Sequence, residues 1–270
     1  MCIRDRSADD FHAITVAFKQ IYSKPWMNTG ASKGGMTSVY HKYFYPNDLA
    51  GTLANVAPLS FDRGDRRYVN FLRTVGVGKY SQCRNNLKRL QIQALENKAG
   101  LSLKLTPIEN TLMGDKESAI AGSAQSLFFV FWQYQKVASG CNEIANIQDN
   151  TSLFNYLVRV ASPSTKKSFN RFKPYYFQAY TQLGYPGSYV DHLSHLLTPG
   201  EESFEALSQA HFDGYPLTYS NNEMYLVQNW AKLRADKMMY IYGEFDPWTA
   251  APFPTSLLGK ETYKLSLIHI

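Results

Sequence analysis

The stretch Trp26-Met27-Asn28-Thr29-Gly30-Ala31-Ser32-Lys33-Gly34-Gly35-Met36 constrains this chain more than any other. An apolar lead-in is followed by a serine between Gly30 and Gly34, and then by Thr37 to Tyr45, a run that reads as a helix. A G-x-S-x-G pattern at a strand-to-helix turn holds its serine in a strained backbone conformation and pushes the hydroxyl into the open. Gly30 and Gly34 are expected to leave room where a Cβ would strike a neighbouring strand or helix. Ser32 is thus the candidate nucleophile. Lys33 follows it at a helix N-terminus, where its backbone N–H is a candidate donor to a developing oxyanion.

Thr29-Gly30-Ala31-Ser32-Lys33-Gly34 also fits the T-G-x-x-x-G opening of a short-chain dehydrogenase, whose glycines cradle a dinucleotide. That pattern requires a further glycine where this chain has Met36, and a Tyr-x-x-x-Lys pair that the chain lacks. No cofactor is therefore expected.

The terminal hexapeptides are a separate matter. Met1 to Arg6 and Leu265 to Ile270 can be back-translated into near reverse complements, as in a transposon end used in library preparation. Residues 1–6 and 265–270 are accordingly expected to be non-native scars, with the genuine fragment running from Ser7 to about Lys264 and truncated at both ends. At 270 residues and 44% apolar composition the chain can bury one sizeable core with an insertion. Its net charge of +6 is scattered, which argues against a nucleic-acid partner. No apolar run approaches the ~20 residues of a membrane span. Outside the first hexapeptide, Cys83 and Cys141 remain; from the residues alone they are either bridged or two reduced thiols.

Taken in order, Ser7 to Tyr22 reads as an amphipathic helix, with Phe11, Ile14, Phe18 and Ile21 set to cover one face of a sheet. After the elbow and its helix, Gly51 to Ala57 reads as a buried strand. Strand, helix and strand in this order imply a right-handed parallel crossover. From about Phe61 the pattern turns helical, with helices over Leu87 to Asn97 and Ser123 to Val137 and a loop at Thr198-Pro199-Gly200. Core character resumes with a helix over Glu223 to Arg234 and a strand over Lys237 to Tyr242. The division expected is a core over 7–60, a mainly helical cap insertion over 61–222, and core again over 223–264. The fold class is α/β: a mostly parallel sheet flanked by helices, as in α/β-hydrolases, with a large helical cap between core strands.

Gly243-Glu244-Phe245-Asp246-Pro247-Trp248 follows the last strand at its carboxyl end, where catalytic groups collect in such sheets. Asp246 sits where the acid of a serine triad belongs, after the nucleophile and on a turn beyond a strand. It would hold a histidine in the tautomer that takes the serine proton. No histidine of the fragment suits that role. His41 lies too far along the helix leaving the elbow, His12 is on the first helix, and His211 is in a loop. His192 and His195 are three apart without a third ligand, so no metal site is expected. His269 belongs to the terminal hexapeptide. The base is expected beyond Lys264, which would leave the fragment inactive.

These landmarks occur together. The T-G-A-S-K-G-G-M-T-S-V-Y core at Thr29 to Tyr40, Val56-Ala57-Pro58, Phe131-Trp132-Gln133-Tyr134, Pro174-Tyr175-Tyr176, Thr181-Gln182-Leu183-Gly184 and Tyr242 to Trp248 resemble the bacterial secreted prolyl tri/tetrapeptidyl aminopeptidases, serine-peptidase family 37. The resemblance implies a serine peptidase that takes short peptides from free N-termini, often after proline, in a secreted or periplasmic protein. By position it implies Ser32 as nucleophile, Asp246 as acid and a disulfide between Cys83 and Cys141. Glu244 is a candidate for the substrate's α-ammonium, and Trp132 and Gln182 for cap-side contacts. Peptides are the expected partners. An esterase or lipase of the same fold, or a hydrolase-fold binding protein without activity, are the alternatives.

Overall fold

The computed structural model describes residues 3–106, 114–197, 209–258 and 260–267. Thr198-Pro199-Gly200 and His269 lie outside the described residues. Four strands, β1 (Met27–Ala31), β2 (Gly51–Asn55), β3 (Met238–Gly243) and β4 (Thr262–Leu267), form one parallel sheet in the order β1-β2-β3-β4. The described helices are α1 (Ile3–Lys19), α2 (Lys33–Phe44), α3 (Arg66–Thr74), α4 (Ser81–Glu96), α5 (Lys98–Ser102), α6 (Lys116–Tyr134), α7 (Val137–Ala145), α8 (Asn150–Val160), α9 (Lys166–Gln178) and α10 (Asn222–Leu233). This is an α/β fold.

The chain forms two compact units, one of residues 1–62, 181–185 and 219–270, the other of residues 63–180 and 186–218. The first holds the sheet. Its core is built by Met36, Val39 and Tyr40 of α2, Val227 and Ala231 of α10, and Met238, Tyr240 and Tyr242 of β3. Alternation along β3 buries Met238, Tyr240 and Tyr242 while Met239 is exposed, as a strand with one covered face requires. Thr181 to Tyr185 belong to this unit although they sit deep in the stretch expected to be insertion. They are fastened by Tyr185 N–H to Asp62 O (2.8 Å) and Ser220 N–H to Thr181 O (3.1 Å).

Several elements differ from their sequence reading. β2 stops at Asn55 because Val56 turns to φ 47°, a left-handed value that no strand accommodates. The strand β4 runs across Lys264, the expected end of the genuine fragment, and so has no counterpart in the sequence reading. α1 does not cover the sheet: it packs on α2, burying the small Ala8 and Thr15 and leaving Phe11, Ile14 and Phe18 about half exposed. Polar links complete that seat, with His12 Nδ1 and His41 Nε2 both on Asp48 Oδ2 (2.8 and 2.9 Å) and the Tyr45 hydroxyl donating to Asp9 (2.6 Å). Residues 3–6 start α1 and residues 265–267 finish β4, so the described part of each terminal hexapeptide lies in regular structure.

The second unit is helical among its described residues. Leu87 and Leu90 of α4, Ile120, Leu127 and Phe131 of α6, and Leu153 of α8 are fully buried. Cys83 of α4 is bonded to Cys141 of α7. Arg84, also buried, donates to the carbonyls of Leu72 (3.0 Å) and Arg73 (2.9 Å) and so closes the C-terminus of α3.

Candidate active site

Ser32 joins β1 to α2 with φ 54° and ψ −125°, a backbone region from which side-chain-bearing residues are nearly excluded. Neighbours hold it there: its N–H donates to Asn55 O (2.9 Å) and its carbonyl accepts from Met36 N (3.0 Å). Its side chain is exposed and makes no capping bond to the helix it opens. The crowding behind the turn is only partly that expected. A Cβ at Gly30 would lie 2.3 Å from Gly34 O, so glycine is required there. Gly34, by contrast, has nothing within 4 Å; the second tight position is Gly35, 3.0 Å from both the Ala57 Cβ and Asn55 O. The first turn of α2 faces back on β1 and β2, and its rotation brings Gly35 rather than Gly34 against them.

Lys33 is the first residue of α2, so its N–H is among those a helix cannot satisfy internally. Burial pushes its ammonium below the ordinary lysine range.

Asp246 lies on the turn beyond β3. Burial raises its carboxyl to about 6, opposed by the Trp248 N–H that donates to Oδ1 at 3.0 Å. The Thr249 hydroxyl braces the turn by donating to Gly243 O (2.7 Å). Ala31, Asn55 and Ile241 are in register across β1, β2 and β3. Ser32 and the Asp246 turn therefore leave the same carboxyl edge of the sheet, with one strand between theirs. At ~4.8 Å per strand, β1 and β3 are roughly 10 Å apart. That is the order of distance an imidazole with a hydrogen bond at each end can bridge.

The remaining sequence candidates divide. Glu244, beside the acid, is exposed. Gln182, proposed as a cap-side contact, belongs to the sheet unit, within the π turn Ala179–Leu183, and its Oε1 is buried without a partner. Trp132 is corrected: it is 2% exposed in the core of the helical unit, its ring filling the space beside Gly76, where a Cβ would come within 2.4 Å. It is a packing residue. His12 and His41 are committed to Asp48. His192 bonds Gln91 at 2.9 Å, and burial, with Lys88 nearby, lowers it to about 4.

Among the described residues no cluster of His, Cys, Asp or Glu could hold a metal ion, and no helix is long and apolar enough to cross a membrane.

Comparison with known sequences gives a match over residues 3–268 to the family described as PS-10 peptidase S37. The chain belongs to the S37 peptidase family. It is also 32% identical over 259 residues to the prolyl tri/tetrapeptidyl aminopeptidase of Streptomyces mobaraensis. That alignment takes in 92% of this chain and 53% of the relative, so the S37 chain spans about half the relative's length. Sequence reasoning missed two features of the S37 rim, the left-handed Val56 and the hydroxyl of Tyr242, because neither follows from a motif.

Proposed function

We propose that this S37 chain supplies the nucleophile and the acid of a serine peptidase that releases tri- or tetrapeptides from free N-termini, with a preference for cutting after proline. The observation that carries the reading is Ser32: a serine held at φ 54° on a helix N-terminus, its hydroxyl withheld from the cap bond that serine normally makes there.

In the reaction, Ser32 Oγ attacks the scissile carbonyl carbon and gives its proton to a histidine. The oxyanion collects at the Lys33 N–H, and the C–N bond breaks as the histidine protonates the leaving amine. Water then enters by the same base and releases the peptide acid, restoring the serine. Asp246 orients the histidine and balances its charge. The base follows the acid in chain order in this reading, beyond Lys264. Glu244 is the proposed partner of the substrate's α-ammonium, Gln182 a further substrate contact. The Cys83–Cys141 bond accords with a secreted or periplasmic setting.

The test is tripeptide release from a chromogenic reporter by the full-length gene product. The Ser32→Ala variant should lower turnover about a thousandfold or more while leaving the fold unchanged. Turnover that survives this change would remove Ser32 from the mechanism. Faster hydrolysis of acyl esters than of any peptide reporter would favour the esterase alternative.

A further inference from the structure

The loop that carries Asp246 is closed on itself by one side chain. Tyr242, the penultimate residue of β3, is 1% exposed, and its hydroxyl accepts a hydrogen bond from Phe253 N (2.8 Å) at the far end of that loop. The same hydroxyl donates to Ala57 O (2.8 Å), on the segment leaving β2. Both partners are fully buried, so no solvent replaces the phenol oxygen if it is lost. Leu59 N donates to Ala251 O (2.7 Å), and Pro58 and Pro252 form an antiparallel bridge, so the β2 exit and the acid loop lie strapped together.

The other end of this strap reaches the nucleophile. Asn55 O receives the Ser32 N–H, and the next residue, Val56, donates to Ile241 O (2.7 Å) from its left-handed conformation. A β-branched residue at positive φ is strained, and it persists only where neighbours over-determine it. Here the turn at Val56 is what directs the Ala57 carbonyl to the phenol. Ser32, Asn55, Val56, Ala57, Tyr242 and the Asp246 loop thus form one continuous chain of bonds.

We infer that Tyr242 is a positioning residue: its hydroxyl fixes the acid loop to the β2 exit and thereby sets where the Asp246 carboxylate stands relative to Ser32. The assignment rests on Ser32 and Asp246 being the reacting pair. Tyr240 on the same strand provides the contrast, since its hydroxyl is buried without a partner and ties nothing to the rim.

The experiment compares Tyr242→Phe, Tyr240→Phe and Ser32→Ala in the full-length gene product, with active-site titration to count competent molecules. Tyr242→Phe is expected to lower kcat per titrated site about 10- to 100-fold with KM changed less than about threefold, because misplacing a catalytic group by an ångström costs on that scale. Tyr240→Phe is expected to turn over like the parent. If Tyr242→Phe does not fold, Thr249→Val, which removes the brace to Gly243 O, should give the same signature at about three- to tenfold. A lower Tm with kcat per site unchanged means a purely structural phenol and overturns the assignment. The same result from Thr249→Val, where that variant has to be used, overturns it equally. Activity that survives Ser32→Ala removes the peptidase reading and this inference with it. Inactive Ser32→Ala beside a fully active Tyr242→Phe removes the inference alone.

Discussion

Four helix N-termini of the helical unit and the N-terminus of α2 in the sheet unit use the same residue types in opposite ways. In the helical unit, Asp65 caps α3 through Arg67 N, Asp115 caps α6 through Ser118 N, and Asp149 caps α8 through both Thr151 N and Ser152 N. Thr165 and Ser168 form a reciprocal capping box at α9. In the sheet unit, α2 opens on Ser32, a residue as fit for capping as any of these, and the hydroxyl caps nothing. Those four N-termini are satisfied locally, although Asn97 at the start of α5 makes no cap bond. The sheet unit breaks local rules at the carboxyl edge of the sheet, with Ser32 and Val56 at positive φ and Asp246 under a desolvation load. Of the non-glycine residues at positive φ among those described, Ser32 and Val56 share this rim, while Asp213 and Lys237 lie elsewhere; strained backbone beside a desolvated carboxylate is a combination that functional sites often keep.

The largest expected difference between the units lies at the Cys83–Cys141 disulfide of the helical unit. Cys83 and Cys141 are 58 residues apart, and a loop of that length lowers unfolded-chain entropy by about 4 kcal/mol at room temperature. Replacing both by serine should lower the stability of the helical unit by about that amount in urea unfolding. Amide exchange should accelerate across α4 and α7 and stay slow across β2 and β3. Acceleration of the sheet amides to the same degree would show that the two units do not differ in what holds them.

Asp246 sharpens the contrast from the other side. Its folded-state carboxyl, raised from 3.8 to about 6 by burial, holds a proton more tightly than the unfolded chain does. Stability from this group is therefore full below pH 3.8, falls as the pH rises towards 6, and stays at its lowest above that. The rise is worth roughly 3 kcal/mol at ~1.4 kcal/mol per tenfold change in proton affinity, and ~2 after discounting residual exposure. Asp246→Asn keeps the Oδ1 acceptor for Trp248 N and should be about 2 kcal/mol more stable than the parent at pH 7, with the gain vanishing near pH 3.5. Melting curves across that range check it; a variant less stable at pH 7 would mean the carboxylate is welcome where it sits.

The elbow, the strands β1 to β3 and the helices α2 and α10 are legible in the sequence because each has a strong local signature: a glycine-bracketed serine, apolar runs of strand length, amphipathic spacing. Asp246 is legible by its place after a strand. What escapes is set by tertiary packing. Gly35 rather than Gly34 is the crowded glycine because the rotation of α2 decides which residue meets β2, and no motif carries that angle. α1 has the periodicity of a sheet-covering helix, yet it seats on α2 through Ala8, Thr15 and a carboxylate shared by two histidines. Trp132 looks like an exposed aromatic of a cleft and is packed beside Gly76, a contact made across the chain from α6. β4 is as long as β3 and alternates Tyr263, Leu265 and Leu267 with polar residues, but half of it falls in the terminal hexapeptide set aside as a scar, and it pairs along the edge of β3.

The smallest expected effect separates the two kinds of N-terminus. Asp149→Ala removes an oxygen that accepts from Thr151 N (2.8 Å) and Ser152 N (3.0 Å) at α8, and should cost about 1 kcal/mol. Ser32→Ala removes an oxygen that accepts from no N–H of α2, so thermal denaturation should find it within ~0.5 kcal/mol of the parent, even though the residue sits at the same place in its helix. A cap-sized loss at position 32 would mean that the hydroxyl already serves the helix. It would then be unavailable as a free nucleophile, because an Oγ drawn over the first turn of α2 points away from the open edge where a substrate carbonyl must arrive. Equal stability with Asp149→Ala clearly weakened would show that helix propensity and solvent exposure cannot account for the difference. What distinguishes the two oxygens is then the backbone at Ser32, which at φ 54° turns the side chain out of reach of its own helix.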